Sequence, residues 1–148
     1  MFWFLACDPE PAAGELRTDL AQLSERMVLP PDVRGARWTI EAAHVGRSGA
    51  GRADAFVYAW LEVPANSDEW LTDTLGAPLG TRVHWVPDRL ALHLFSDEER
   101  ALLQHDDGKG NYKLACERWM GGGLGRGEYK GQVVMLCGDR LFVGLAAK

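Results

Sequence analysis

The chain has 148 residues, 47% hydrophobic and 25% charged, and carries a formal net charge of −5 at pH 7. That length suits one domain able to fold on its own core without a metal or a disulfide framework. The acidic balance argues against non-specific binding along a nucleic-acid backbone, which needs a continuous basic surface, and no stretch approaches the roughly 20 apolar residues of a membrane span.

The charge is unevenly placed. Residues 1–105 hold nine Lys/Arg against sixteen Asp/Glu, whereas residues 106–148 hold seven against five. An acidic body with a slightly basic end suits docking onto a basic partner protein and leaves room for a local anion site near the C-terminus. Six tryptophans are many for this length, and Trp is favoured at interfaces where one side of the ring stays wet. Cys7, Cys116 and Cys137 are odd in number and lack C-x-x-C spacing. They predict neither a disulfide framework nor a zinc site, and they suit a reducing cytoplasm.

Phe2–Cys7 reads as a buried first strand rather than a signal peptide, because no basic segment precedes it and the apolar run is short. Asp8 is placed to cap a helix with Pro9 or Pro11 in its first turn. Leu16, Leu20, Leu23 and Met27 then recur at helical spacing until Leu29-Pro30-Pro31. Arg37–Val45 and Ala55–Val63 alternate as strands. In the second, Phe56, Tyr58 and Trp60 take one face, and Val57, Ala59 and Leu61 the other. Between them Gly46–Arg52 is a glycine-rich loop with arginines at 47 and 52. Asn66 followed by Glu69 opens a helix carrying Trp70, Leu71 and Leu75, which Gly76 ends.

Arg82–Val86 and Arg89–Phe95 flank Pro87-Asp88 and are expected to form a hairpin, though Pro is a poor residue for the primed turns. That register sets Val83, Trp85, Leu90, Leu92 and Leu94 toward the core and gathers Arg82, His84, Arg89 and His93 on the opposite face. Two imidazoles flanked by two guanidiniums suit a phosphate or carboxylate. The flanking positive charges should make both histidines titrate below about 6.5.

Ser96 with Glu99 is a capping box opening a helix over Asp97–His105. After Asp106–Asn111 a last helix is expected, with Tyr112, Cys116, Trp119 and Met120 on one side and Gly121 as its cap. Gly121–Gly131 then offers backbone amides and the cations Arg126 and Lys130 as anion-binding candidates. It lacks the G-x-x-x-x-G-K-[ST] spacing of a phosphate loop. Gln132–Cys137 and Arg140–Leu145, joined by Gly138-Asp139, form the clearest hairpin, pairing Cys137 with Arg140, Leu136 with Leu141, Met135 with Phe142 and Val134 with Val143. Its two faces are both apolar, so it belongs in the middle of a sheet covered on both sides.

The expected fold is α+β, a mainly antiparallel sheet in the order β-α-β-β-α-β-β-α-α-β-β, whose first six elements could form a ferredoxin-like unit. No metal set, nucleophile motif, catalytic group or cofactor signature emerges. The sequence points first to a non-catalytic cytoplasmic binding protein that recognises a protein partner, as an inhibitor, immunity factor or assembly factor does. The second reading is an enzyme or sensor for a phosphorylated small molecule or nucleotide, using Arg82, His84, Arg89, His93, Arg126 and Lys130.

Overall fold

Gly138, at a φ of 66°, and Asp139 turn the chain between two long strands that lie at the centre of the sheet. The computed structural model describes residues 14–42 and 55–147. The expected first strand Phe2–Cys7, the cap at Asp8 and the loop Gly46–Arg52 lie outside these residues. In chain order the elements are α1 (Leu20–Ser24), β1 (Gly35–Ala42), β2 (Ala55–Glu62), α2 (Ser67–Leu75), β3 (Gly80–Pro87), α3 (Asp88–Leu94), α4 (Asp97–Leu102), β4 (Gln104–Asp106), β5 (Asn111–Trp119), β6 (Tyr129–Cys137) and β7 (Arg140–Ala147). The strands make one antiparallel sheet ordered β1-β2-β7-β6-β5-β3, with β4 also paired to β5. The fold is α+β, as expected.

The central hairpin has the expected register, Cys137 opposite Arg140 through Val134 opposite Val143. Its two apolar faces feed two separate cores. Leu141, Val143, Leu145 and Val134 join Trp38, Val57, Ala59, Leu61, Leu71 and Trp119 on the face covered by α1, α2 and Leu124. Phe142, Met135 and Val133 join Trp60, Val86, Leu90, Ala91, Leu94, Phe95 and Leu114 on the face covered by α3. Strand alternation alone produces this division, because successive side chains point to opposite sides. The alternation of β2 is likewise as read: Val57, Ala59 and Leu61 enter the first core, Trp60 the second.

α1 is much shorter than the expected amphipathic helix. Asp19 caps it by accepting from the Gln22 amide. Before it, Arg17 bridges to Trp38 as an added strand segment, and after it Met27 bridges to Gly125. Those backbone pairings claim residues that helical spacing assigned to the helix. The helix expected after Asn66 forms over Ser67–Leu75 and ends at Gly76, whose φ of 97° suits glycine, although the Asn66 side chain makes no cap hydrogen bond.

Three elements are corrected. The helix expected over Asp97–His105 ends at Leu102, and His105 lies instead in strand β4. Arg89–Phe95 is not the second arm of a hairpin. Chain 88–94 is helix α3, with Leu90, Ala91 and Leu94 buried and Leu92 60% exposed. Pro87 ends β3 and helix begins at once, so Val83 and Trp85 remain 45% and 44% exposed on a strand with no partner arm from α3. Asn111–Met120 is likewise not a helix: Asn111–Trp119 is strand β5, paired to β3, β4 and β6. The expected ferredoxin-like half does not arise either, because the second neighbour of β2 is β7, while β3 lies at the far edge of the sheet.

The cysteine expectation also changes. Cys116 and Cys137 are joined by a disulfide, with Cα atoms 5.3 Å apart. The helix-to-strand correction explains it, since β5 brings Cys116 beside the end of β6. Among the described residues, no helix is long and apolar enough to cross a membrane.

Candidate functional site

α3 leaves β3 at one edge of the sheet and reaches the strand at the other. Arg37 and Glu41, two residues of β1 facing the same way, both hold it. Arg37 donates through Nε to the His93 carbonyl at 2.8 Å, and Glu41 pairs with Arg89. The sheet therefore curls around α3. The His84 ring of β3 lies with its centroid 5.3 Å from that of Phe142 on β7, although β6 and β5 stand between their strands. In a flat sheet those strands would be about 14 Å apart.

This geometry scatters the six residues that the sequence suggested for an anion site. Arg82 and His84 share a side of β3, where Arg82 is exposed and donates to the Thr81 carbonyl. Arg89 has moved onto α3 and is committed to Glu41. His93 sits in the last turn of the same helix, its carbonyl taken by Arg37. Arg126 is exposed in the segment that packs through Leu124 into the first core, on the face opposite to α3. Lys130 is exposed near the start of β6, opposite Ala146.

Gly121, Gly125 and Gly131 of that segment serve close chain packing. A Cβ on Gly125 would run into the Tyr129 carbonyl, and one on Gly131 into the Gly121 carbonyl. The backbone around Gly125 is tied down by Met27 and by the Val28 amide, which donates to the Leu124 carbonyl at 2.8 Å.

The cation that the sequence did not place beside His84 is Arg118, on the neighbouring strand β5. Burial first, and then the Arg118 guanidinium, hold the His84 imidazole below its ordinary pKa, so it is neutral at pH 7. Tyr58, on the same face, is pushed up by burial and by the Glu41 carboxylate, against the opposing effect of Arg89. His105 has the opposite setting. Its Nδ1 meets Asp107 and its Nε2 lies 2.7 Å from Asp88 at the start of α3; these carboxylates raise its pKa.

A concavity lies elsewhere, on the α3 face between β1, β2, β7 and α4. It is a cleft of about 550 Å³, with Arg37, Trp60, Glu62, Glu98, Glu99 and Arg140 among its walls. Arg37 and Trp60 stand directly opposite each other on paired strands. The capping box predicted at Ser96 and Glu99 is present, and it aims Glu99 inward. One oxygen of Glu99 accepts from the Ser96 amide at 2.9 Å; the other accepts from Trp60 Nε1 and from Arg140 Nε, both at 3.0 Å. Burial works to raise the Glu99 pKa, but the Ser96 amide, the Trp60 indole and Arg140 together overcome it and hold the carboxyl below its usual range. Glu99 is thus a fixed anion rather than a proton donor near neutral pH. Sequence reasoning found the capping box but not the cleft, because Trp60, Glu99 and Arg140 are far apart in the chain.

Among the described residues, no group of three or more His, Cys, Asp or Glu side chains is arranged to hold a metal ion. The chain matches no protein-family model, no curated protein and no solved structure.

Proposed function

We propose that this chain is a non-catalytic binding domain that recognises another protein, and that an extended segment of the partner adds to the sheet along β3. The observation that carries this reading is the state of that strand. β3 is the last strand of the sheet, eight residues long, and leaves Val83 and Trp85 nearly half exposed beside the exposed Ala115 of β5. The opposite edge is handled differently: β1 is partly covered by the Arg17–Trp38 bridge and by the Gly14 amide, which donates to the Ile40 carbonyl. A long edge with apolar side chains is a template for strand addition, in which backbone hydrogen bonds supply affinity and alternate side chains supply selectivity. An exposed Trp beside it suits the anchor of such an interface.

The net charge of −5 favours a basic partner, whose approach it would steer and whose complex would weaken as ionic strength rises. The Cys116–Cys137 bond weighs toward an oxidising compartment, in place of the cytoplasm expected from the cysteine count. The test is affinity capture with the wild-type chain, Trp85→Glu and Val83→Lys, followed by cross-linking from position 83. A partner held by the wild type, cross-linked at β3 and lost with either folded variant supports the reading. A partner retained equally by both variants overturns it.

A further inference from the structure

The cleft on the α3 face is far from the exposed side chains of β3, and its charges are arranged for a different kind of ligand. Two guanidiniums and three carboxylates line it. Most of this charge is already paired. Arg140 gives Nε to Glu99, Nη2 lies 3.4 Å from Glu62, and Nη1 lies 3.3 Å from Asp139. Glu99 is occupied through both oxygens.

Two charges are left over. Arg37 is anchored through Nε to the His93 carbonyl, and among the described residues no carboxylate pairs with it. Its remaining N–H groups are the planar fork that suits a carboxylate. Glu98, in the first turn of α4, is exposed and likewise has no ion-pair partner among the described residues. The same cleft also has apolar walls. The Trp60 indole is fixed edge-on against Phe95, with ring centroids 4.7 Å apart, and Leu102 stands 87% exposed at the rim.

We propose that this cleft binds a small zwitterion, a free α-amino acid with an apolar side chain, with its carboxylate on Arg37, its ammonium toward Glu98 and its side chain between Trp60 and Leu102. The charge count decides between ligand classes. With two cations against three anions, a simple anion meets a net repulsive wall. A simple cation leaves Arg37 desolvated and unpaired, which is costly. A ligand with both charges satisfies both leftover groups. A volume of about 550 Å³ lies within the roughly 300–1,000 Å³ of small-molecule sites.

The experiment is an NMR titration of the 15N-labelled chain, read at the Trp60 indole N–H, with L-leucine, L-phenylalanine, their N-acetyl derivatives and their methyl esters. The expected result is a saturable shift with the free amino acids. Removing either ligand charge should weaken binding roughly ten-fold or more, the usual worth of a charge-assisted contact. Arg37→Gln should abolish the discrimination against the ester, and Glu98→Gln the discrimination against the N-acetyl form. Glu98 is exposed, so its variant tests the site even if Arg37→Gln disturbs the hold on α3. Trp85→Glu should leave the titration unchanged, which separates this site from partner docking on β3. The proposal is overturned if no free amino acid shifts the indole at millimolar concentration, or if acetylated and esterified forms bind as well as the zwitterion.

Discussion

The indole N–H of Trp60 and the Nε–H of Arg140 both donate to the same Glu99 oxygen, each at 3.0 Å. One carboxylate thereby ties α4 to two central strands, β2 and β7, while its other oxygen closes the capping box of its own helix. Because these donors depress the Glu99 pKa against burial, the stabilisation is present above the unfolded-state value of about 4.3 and is lost as pH falls through the folded value. Glu99→Gln should cost about 1–2 kcal/mol at pH 6, within the range for hydrogen bonds to charged groups and caps. The gap between wild type and variant should shrink toward pH 3. Urea unfolding of both proteins across this range checks it, and a gap that stays constant with pH would show that the carboxylate charge contributes nothing.

The histidines should titrate in a fixed order. His105 is raised by Asp107 and Asp88, and His84 is lowered by burial and Arg118. For His105 the linked stabilisation is full below the unfolded value of about 6.5 and disappears as pH rises through the higher folded value. NMR titration of the ring protons should place His105 above 6.5 and His84 below it. Asp88→Asn should bring His105 down, and Arg118→Gln should bring His84 up. If His84 titrates above His105, the environment described for one of them is wrong.

The places where sequence reading failed have a common physical cause. The β6–β7 hairpin was legible because a two-residue turn fixes register locally, and both of its faces were apolar. Ser96 and Glu99 were legible for the same reason, since a capping box is complete within four residues. Leu90, Leu92 and Leu94 alternate like a strand, yet Leu90, Ala91 and Leu94 are what the core takes. Short apolar runs fit both periods, and the choice was made by the curled sheet, which needs a helix to fill its inner face. Tyr112, Cys116 and Trp119 fit helical spacing, but in β5 Tyr112 and Cys116 pack against the second core while Trp119 enters the first. The arginine and histidine face depended on that misread hairpin, so it dissolved with it. The cleft depends on residues from β1, β2, β7 and α4 meeting in space, and no local pattern encodes that.

The glycine-rich segment gives a prediction that separates packing from ligand cradling. Gly125→Ala places a Cβ against the Tyr129 backbone, which cannot move aside as a side chain can. It should destabilise the fold by about 1–3 kcal/mol, the usual cost of overpacking. Gly127, with a φ of 61° and open space around it, should suffer only the smaller conformational penalty of leaving glycine. Thermal unfolding of the two Ala variants compares them directly, and equal losses would remove the packing account.

The last prediction concerns the joint between the two halves of the sheet. β1–β2, β2–β7 and β3–β5 pair over eight residues each, whereas β5–β6 pair only at Glu117–Leu136, Arg118–Met135 and Trp119–Val134. Immediately beyond the first of these pairs stands the Cys116–Cys137 bond. The shortest ladder in the path is therefore the one that is covalently closed, and among the described residues the strand ladders join β3 and β4 to the central hairpin through β5. A crosslink spanning 21 residues stabilises a fold by about 3 kcal/mol in the chain-entropy account. Reduction, or the paired change Cys116→Ser with Cys137→Ser, should lower stability by that order. The loss should also be uneven: amide hydrogen exchange should quicken first in β3, β4 and β5, while β1, β2, β6 and β7 keep their protection. If exchange rises uniformly across all seven strands, or the unfolding midpoint does not move after both thiols are shown to be free, the bond is not the staple of this joint.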